Sequence, residues 1–258
     1  MKNLSFSLIQ SEIIWEAPED NRMFFESKIS ELSSGQIVLL PETFTTGFSA
    51  KAVEQAEDMQ GPSIAWMKKV SKERNLILGG SLIIEEDGKI YNRFIWMQPD
   101  GKFHFYNKRH LFSYGGEGDK FTAGDKRTIV SANGWKINLQ VCYDLRFPVW
   151  SRMRTENEFD ILIYVANWPE QRIEAWNSLL KARAIENQSF VIGLNRIGSD
   201  GNELNYIGES QLIHPSGDLI CKEKNNEAVI SFTLEKAEII SHRKKYPFLR
   251  DRDKFNVI

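Results

Sequence analysis

Three side chains in this 258-residue sequence have the types needed for nucleophilic chemistry: Glu42, Lys108 and Cys142. Glu42 follows the apolar run Val38-Leu39-Leu40-Pro41, Lys108 follows Phe105-Tyr106-Asn107, and Cys142 ends an alternating stretch. In that stretch Ile137, Leu139 and Val141 are expected on one face of a strand and Asn138, Gln140 and Cys142 on the other. A free thiol ionises near pH ~8.5, so little of it is thiolate at neutral pH. A lysine ammonium beside it would favour the thiolate, and a carboxylate could take the proton as the sulfur attacks. The lysine could then donate to the oxyanion of a tetrahedral intermediate. By spacing alone, plainer readings stay open: a loop carboxylate, a surface lysine and a buried thiol.

Such a site requires elements that end together. Leu4–Gln10, 36–40, 76–84, 89–98, 102–106, 160–166, 190–194, 209–214 and 219–222 are expected as strands. Residues 20–32 read as a helix, with Phe25, Ile29 and Leu32 on one stripe. A second helix is expected from Pro62, carrying Ile64, Met67 and Val70, because proline suits the first helical turn. A third is expected through Trp176, Leu179, Leu180, Arg183 and Ala184. Pro99-Asp100-Gly101 and Pro215-Ser216-Gly217-Asp218 are turn signatures. Alternating strands and helices imply an α/β layered fold, and open α/β sheets bind ligands at strand ends. No repeat or linker divides the chain, so one domain over 1–258 is expected.

Composition narrows the partners. The formal charge is -2 and the sequence pI about 6.2, which argues against nucleic acid or an anionic membrane surface. The short cluster Arg243-Lys244-Lys245 reads as a solvated surface. Two cysteines, Cys142 and Cys221, give no disulfide framework. The start alternates polar and apolar residues without a signal-peptide core, and no apolar run nears the roughly 20 residues that span a bilayer. A cytoplasmic protein is expected, where a free thiol survives. The four histidines and two cysteines show no metal-ligand spacing. His110 is expected to be packed or hydrogen-bonded rather than a base. Gly79-Gly80 and Gly115-Gly116 form no dinucleotide fingerprint.

The three blocks around Glu42, Lys108 and Cys142 resemble, in order, those of the nitrilase or carbon–nitrogen hydrolase superfamily. They are Leu39-Leu40-Pro41-Glu42-Thr43-Phe44, then Tyr106-Asn107-Lys108-Arg109-His110-Leu111-Phe112, then Val141-Cys142-Tyr143-Asp144-Leu145-Arg146-Phe147-Pro148. Gly116-Glu117 is similar to the segment bearing the superfamily's second active-site glutamate. Val165-Ala166-Asn167-Trp168-Pro169, 181–188 and 195–201 extend the likeness, which is nearest to the omega-amidase branch.

The resemblance implies a single-domain, nitrilase-like four-layer αββα sandwich with a core over about 4–235. A C-terminal extension, 236–258, would lie at a dimer interface, so a homodimer or larger homo-oligomer is expected. It implies Glu42 as base, Lys108 and the Tyr143 backbone N–H as oxyanion donors, Cys142 as nucleophile, and Glu117 holding Lys108. Arg146 would grip a substrate carboxylate unless it pairs with Asp144 or Glu186. Asn167 and Trp168 would line the pocket, with Phe48, Phe112 and Tyr114 as wall or lid. The implied reaction hydrolyses the terminal amide of a small 2-oxo dicarboxylic monoamide through a thioester, with no cofactor and no metal. The alternatives are an N-carbamoyl amino acid hydrolase, an aliphatic amidase, a nitrilase, or a non-catalytic metabolite-binding member of the fold.

Overall fold

The computed structural model describes residues 3–49 and 51–255. Met1 and Lys2 of the alternating start, and 256–258 of the C-terminal segment, lie outside the described residues. The strands are β1 (Leu4–Gln10), β2 (Ile37–Leu39), β3 (Ile77–Glu86), β4 (Lys89–Met97), β5 (Phe103–Asn107), β6 (Thr128–Ala132), β7 (Trp135–Val141), β8 (Ile161–Ala166), β9 (Phe190–Asn195), β10 (Ile197–Ser199), β11 (Asn205–Ile213), β12 (Leu219–Lys224) and β13 (Ala228–Leu234). The helices are α1 (Pro18–Ser30), α2 (Ala52–Gln55), α3 (Pro62–Arg74), α4 (Pro148–Ser151), α5 (Ile173–Asn187) and α6 (Lys236–Lys245).

Two sheets form, one in the order β13-β1-β2-β3-β4-β5 and the other β10-β11-β9-β8-β7-β6, with β12 paired to β11. Strand periodicity explains how they stack. Ile37 and Leu39 of β2, with Ile161, Ile163 and Val165 of β8, share one buried cluster between the sheets. The alternate residues face outward. Val38 and Leu40 pack with Phe25, Ile29, Met67 and Val70 of α1 and α3. Leu162, Tyr164 and Ala166 pack with Trp176, Leu180 and Ala184 of α5. Both faces of each central strand are thus covered, which is why β2 and β8 read as unbroken apolar runs. The result is the expected αββα sandwich. Among the described residues no helix is long and apolar enough to cross a membrane.

Differences from the sequence expectation are local. Helix α1 begins at Pro18 rather than at 20, because proline occupies its first turn. Strands β6, β10 and β13 and helices α2, α4 and α6 had no counterpart in the sequence reading. Helix α6, in the segment expected as a C-terminal extension, packs on the core. Its Ile239 is buried in the inter-sheet cluster, Lys236 pairs with Asp160, and Arg243 donates to the Phe159 and Gln188 carbonyls.

Two close approaches aim the chain at the site. A Cβ on Gly80 would come within 2.9 Å of Leu40 and 3.0 Å of Phe44, so the bare backbone of β3 lets the segment carrying Glu42 cross over it. A Cβ on Gly124 would sit 2.2 Å from the Asn107 carbonyl, beside the Gly124 N–H that donates to the Lys108 carbonyl at 2.9 Å.

The seating of α5 yields a stability prediction. Leu180 is fully buried and packs where Gly193 leaves room for it. Leu180→Ala should cost about 2–5 kcal/mol, the usual range for a buried leucine truncation, measured by urea denaturation. A loss under about 1 kcal/mol would contradict this packing.

Candidate active site

Strands β1, β2 and β3 run parallel, and two antiparallel steps through β4 bring β5 into the same direction. In the other sheet β7, β8 and β9 are parallel. The C-terminal ends of β2, β5, β7 and β8 deliver Glu42, Lys108, Cys142 and Asn167 to one place. The structure brings these four and Glu117 together.

At the centre lies the Lys108 ammonium. Its Nζ donates to Glu42 Oε1 at 2.9 Å and sits 3.0 and 2.9 Å from the two Glu117 oxygens. All three side chains are buried. Burial alone would lower the lysine pKa, but Glu117 and Glu42 more than offset it, and the group is held charged well above its ordinary range. Glu117 is the opposite case. Burial raises its carboxyl pKa, Lys108 pulls it down, and the Glu42 charge pushes it up again, so the net shift is upward. Glu42 is surrounded by donors. Besides Lys108, the Asn92 amide reaches Oε1 at 2.8 Å and the Asn167 backbone N–H reaches Oε2 at 2.7 Å.

Cys142 lies just past β7, where a short 3-10 turn starts. It was expected to continue the strand on the polar face. Instead its φ is +42°, which turns the chain sharply and aims the side chain out of the sheet. Thr43, next to Glu42, also has positive φ, +44°. Non-glycine residues in this region cost on the order of 1–3 kcal/mol and persist only where their surroundings hold them. Thr43 is held by Ser81 Oγ, which accepts its N–H at 2.9 Å, and by the Asn167 amide at 3.0 Å.

Asp144 holds the Cys142 turn. It accepts from the Val141 N–H at 3.1 Å, the Tyr106 hydroxyl at 2.7 Å and the His110 N–H at 2.9 Å, with His110 Nδ1 at 2.8 Å. His110 also stacks on Phe147 at 3.7 Å. It is a packed, hydrogen-bonded residue, as expected.

Lys108 pulls toward the thiolate, as expected, but it does not prevail. Burial first, and then the Glu42 carboxylate, push the Cys142 thiol well above its ordinary value, and the opposing pull of Lys108 is smaller. The resting sulfur is a thiol that must lose its proton during attack.

A cavity of about 220 Å³ opens over these groups. Its wall includes Phe48, Phe112, Arg146, Trp168, Arg172 and Tyr206. Arg146 lies over the Trp168 ring at 4.9 Å. It pairs with neither expected carboxylate: Asp144 is occupied as described, and Glu186 pairs with Arg183. Tyr143 lines the cavity, and its ring packs against Phe112 and Phe147. Tyr114 does not line it. That side chain is 89 % exposed, because the 3-10 turn at Ser113–Gly115 presents it to solvent. Cys221 lies far along the sheet on β12 and packs against the core.

Sequence reasoning missed Asn92, Asp144 and Arg172. Asn92 carried a signal, since asparagine is depleted inside strands and here interrupts Ile90, Tyr91, Phe94 and Ile95. Arg172 precedes α5 and lies over Phe112 at 5.2 Å. Nothing in its spacing marked it.

Known proteins share this arrangement of chain. The carbon-nitrogen hydrolase family model matches residues 14–244. The omega-amidase YafV of Escherichia coli K12 is 39% identical over 258 residues, covering 100% of both chains. A 2-oxoglutaramate amidase of Bacillus subtilis is 31% identical, covering 96% of each. A CN-hydrolase superfamily protein from Xanthomonas campestris, solved with an arsenic adduct in its active site, superposes with a TM-score of 0.98 at 41% identity, covering 100% of both chains. By its sequence along almost its whole length, and by its fold, this chain belongs to the carbon–nitrogen hydrolase family.

Proposed function

We propose that this protein is an omega-amidase: a cysteine-dependent hydrolase that releases ammonia from the terminal amide of small 2-oxo dicarboxylic monoamides such as 2-oxoglutaramate. Omega-amidase and 2-oxoglutaramate amidase relatives aligned along nearly the whole chain support this. The observation that carries the chemistry is the buried Glu42–Lys108–Glu117 cluster beside the Cys142 turn.

The steps follow from what each group can do. The Cys142 sulfur attacks the amide carbon as its proton passes to Glu42. The oxygen of the tetrahedral intermediate takes hydrogen bonds from Lys108 and from the Tyr143 backbone N–H, whose preset dipoles cost no reorganisation. Glu42 returns the proton to the nitrogen, the carbon–nitrogen bond breaks and ammonia leaves a thioester. A water molecule gives a proton to Glu42 and its oxygen to the acyl carbon. The carbon–sulfur bond then breaks, giving the 2-oxo acid and restoring the thiol. Glu117 keeps Lys108 in place, and Asn167 fixes Glu42.

The cavity wall bears on substrate choice. Arg146, with no ion pair among the described residues and its guanidinium over Trp168, is suited to receive the substrate carboxylate. The same reading carries a homodimer and a cytoplasmic location, with exposed Ile240 and Phe248 of the C-terminal segment available for pairing. The other carbon–nitrogen hydrolase reactions differ from this one in the pocket rather than in the triad.

A substrate panel tests the reading. The purified protein should release ammonia from 2-oxoglutaramate far faster than from N-carbamoyl amino acids or simple nitriles, and Cys142→Ala should lose at least about a thousandfold in kcat. Turnover of the nitrile alone would sink the proposal.

Arg146→Ala should lower kcat/KM for carboxylate-bearing amides by roughly tenfold to a hundredfold, since hydrogen bonds to charged groups are worth about 1.5–3 kcal/mol. Neutral amides should be nearly unaffected. Equal losses for both would mark the arginine as structural.

The raised thiol pKa gives a pH prediction. The thiolate is the species that alkylates, so a raised pKa lowers its fraction at every pH below that value. The rate of Cys142 carbamidomethylation should keep climbing as pH passes about 8.5, the ordinary thiol value. A plateau near pH 7, followed by intact-protein mass spectrometry, would mean that Lys108 prevails over burial and Glu42.

A further inference from the structure

Asn92 touches more of the site than any role assigned so far requires. Its backbone carbonyl accepts the Lys108 N–H at 2.9 Å. Its side-chain Nδ2 reaches Glu42 Oε1 at 2.8 Å and Glu117 Oε1 at 3.3 Å. The residue is buried, in the middle of β4 opposite Ile83. Its amide oxygen, also buried, has no hydrogen-bond partner. A buried acceptor left unmade is costly, so the amide is held with its donor end on the two carboxylates at the expense of its other end.

Those carboxylates pose a problem that Lys108 alone does not solve. Two acids and one ammonium leave one excess negative charge in a buried site. Like charges this close cannot both stay ionised cheaply, so such a pair tends to hold one proton between them. If Glu42 holds it, the base beside Cys142 is already protonated and cannot accept the thiol proton. If Glu117 holds it, the base is free and Lys108 still has an acceptor.

The contacts are unequal in the direction that matters. Asn92 is closer to Glu42 by half an ångström, and Glu42 takes the Asn167 N–H at 2.7 Å on its other oxygen. Donors stabilise the ionised form of the group they reach. Glu117 receives the Phe112 N–H at 2.6 Å, but its contact with the shared amide is the longer one.

We propose that Asn92 is a positioning residue that decides which carboxylate carries the shared proton, keeping Glu42 ionised as the base and leaving the proton to Glu117. This rests on the proposed role of Glu42 as base, and it gives Glu117 a second task besides holding Lys108. An aspartate in this place would add a third negative charge, and an apolar residue of the same size would leave the proton's place to the two acids and Lys108.

The test is a pH profile. In Asn92→Leu, which keeps the branched shape and removes the donor, the acid limb of kcat/KM for 2-oxoglutaramate should move up by about one pH unit, a tenfold rise in the proton affinity of the base. In a Glu117→Gln background the competing acid is gone, so adding Asn92→Leu should move the limb by less than a third of that. The same profiles are taken with a simple neutral amide as substrate, whose turnover needs the same base but no 2-oxo acid. Wild-type protein that hydrolyses the neutral amide but not 2-oxoglutaramate would fail the functional reading, and the neutral-amide profiles would still decide the role of Asn92. Should Asn92→Leu lose its fold by circular dichroism, Asn92→Ser, smaller and still a donor, stands in, with a smaller upward shift expected. A lower rate with an unmoved acid limb would overturn the proposal, as would an equal shift in the presence and absence of Glu117.

Discussion

The structure depends on one buried ammonium. Lys108 sits between Glu42 and Glu117 with hardly any solvent at any of the three side chains. Charges removed from water are tolerated only where partners replace the lost hydration with good geometry, and deleting one partner leaves an uncompensated charge behind. The three residues come from separate parts of the chain, and each must arrive within a few tenths of an ångström of the others. A sheet end positions one such group. Placing Glu42 and Lys108 from one sheet against Cys142 and Asn167 from the other requires two sheets face to face, with their parallel strands ending at the same edge. The inter-sheet core through Leu39, Tyr106, Val141 and Val165 fixes that edge, because each of these residues lies within three positions of a site residue.

The same requirement explains where strain is stored. Positive φ at Thr43 and Cys142 directs Glu42 and the thiol away from strand continuation and toward Lys108. Neither turn stands unsupported. Ser81 and Asn167 hold the first. Asp144 holds the second, tying the Cys142 turn to Tyr106 and His110 of the lysine block through one carboxylate. The lysine and cysteine blocks are therefore mechanically joined before any substrate enters, and His110 serves that joint rather than proton transfer.

Much of this was legible in the sequence, for identifiable reasons. Glu42, Lys108 and Cys142 stand at the ends of apolar strands, and strand ends show in a single sequence. The residues that organise them do not. Asp144 acts on partners up to 38 positions away, and Arg172 becomes relevant only when the turn before α5 brings it over Phe112. Two of the missed strands show opposite reasons. Strand β6 leads into Asn133-Gly134, both at positive φ, the residue pair of a tight hairpin turn, so that signal was present and unused. Strand β13 alternates partly buried and exposed residues until Leu234, and only its pairing with β1 makes it part of the sheet. The Cys142 thiol shows the limit most sharply. Residue types suggested a lysine-activated thiolate, yet burial and Glu42 outweigh Lys108, a balance that depends on distances the sequence does not contain.

That balance also gives the cavity its polarity. At the sulfur the Glu42 carboxylate outweighs the Lys108 ammonium, an environment that disfavours a further anion there. Its wall carries Arg146 and Arg172, each over an aromatic ring, and a weakly hydrated guanidinium on such a ring remains free to bind a carboxylate. A small molecule with a neutral amide at one end and a carboxylate at the other meets both demands in only one orientation. In the proposed reaction the amide would face Cys142, with the acid kept off the sulfur by Glu42 and drawn to the two guanidiniums of the wall, so the same groups that set the thiol's proton would set the direction of the scissile bond.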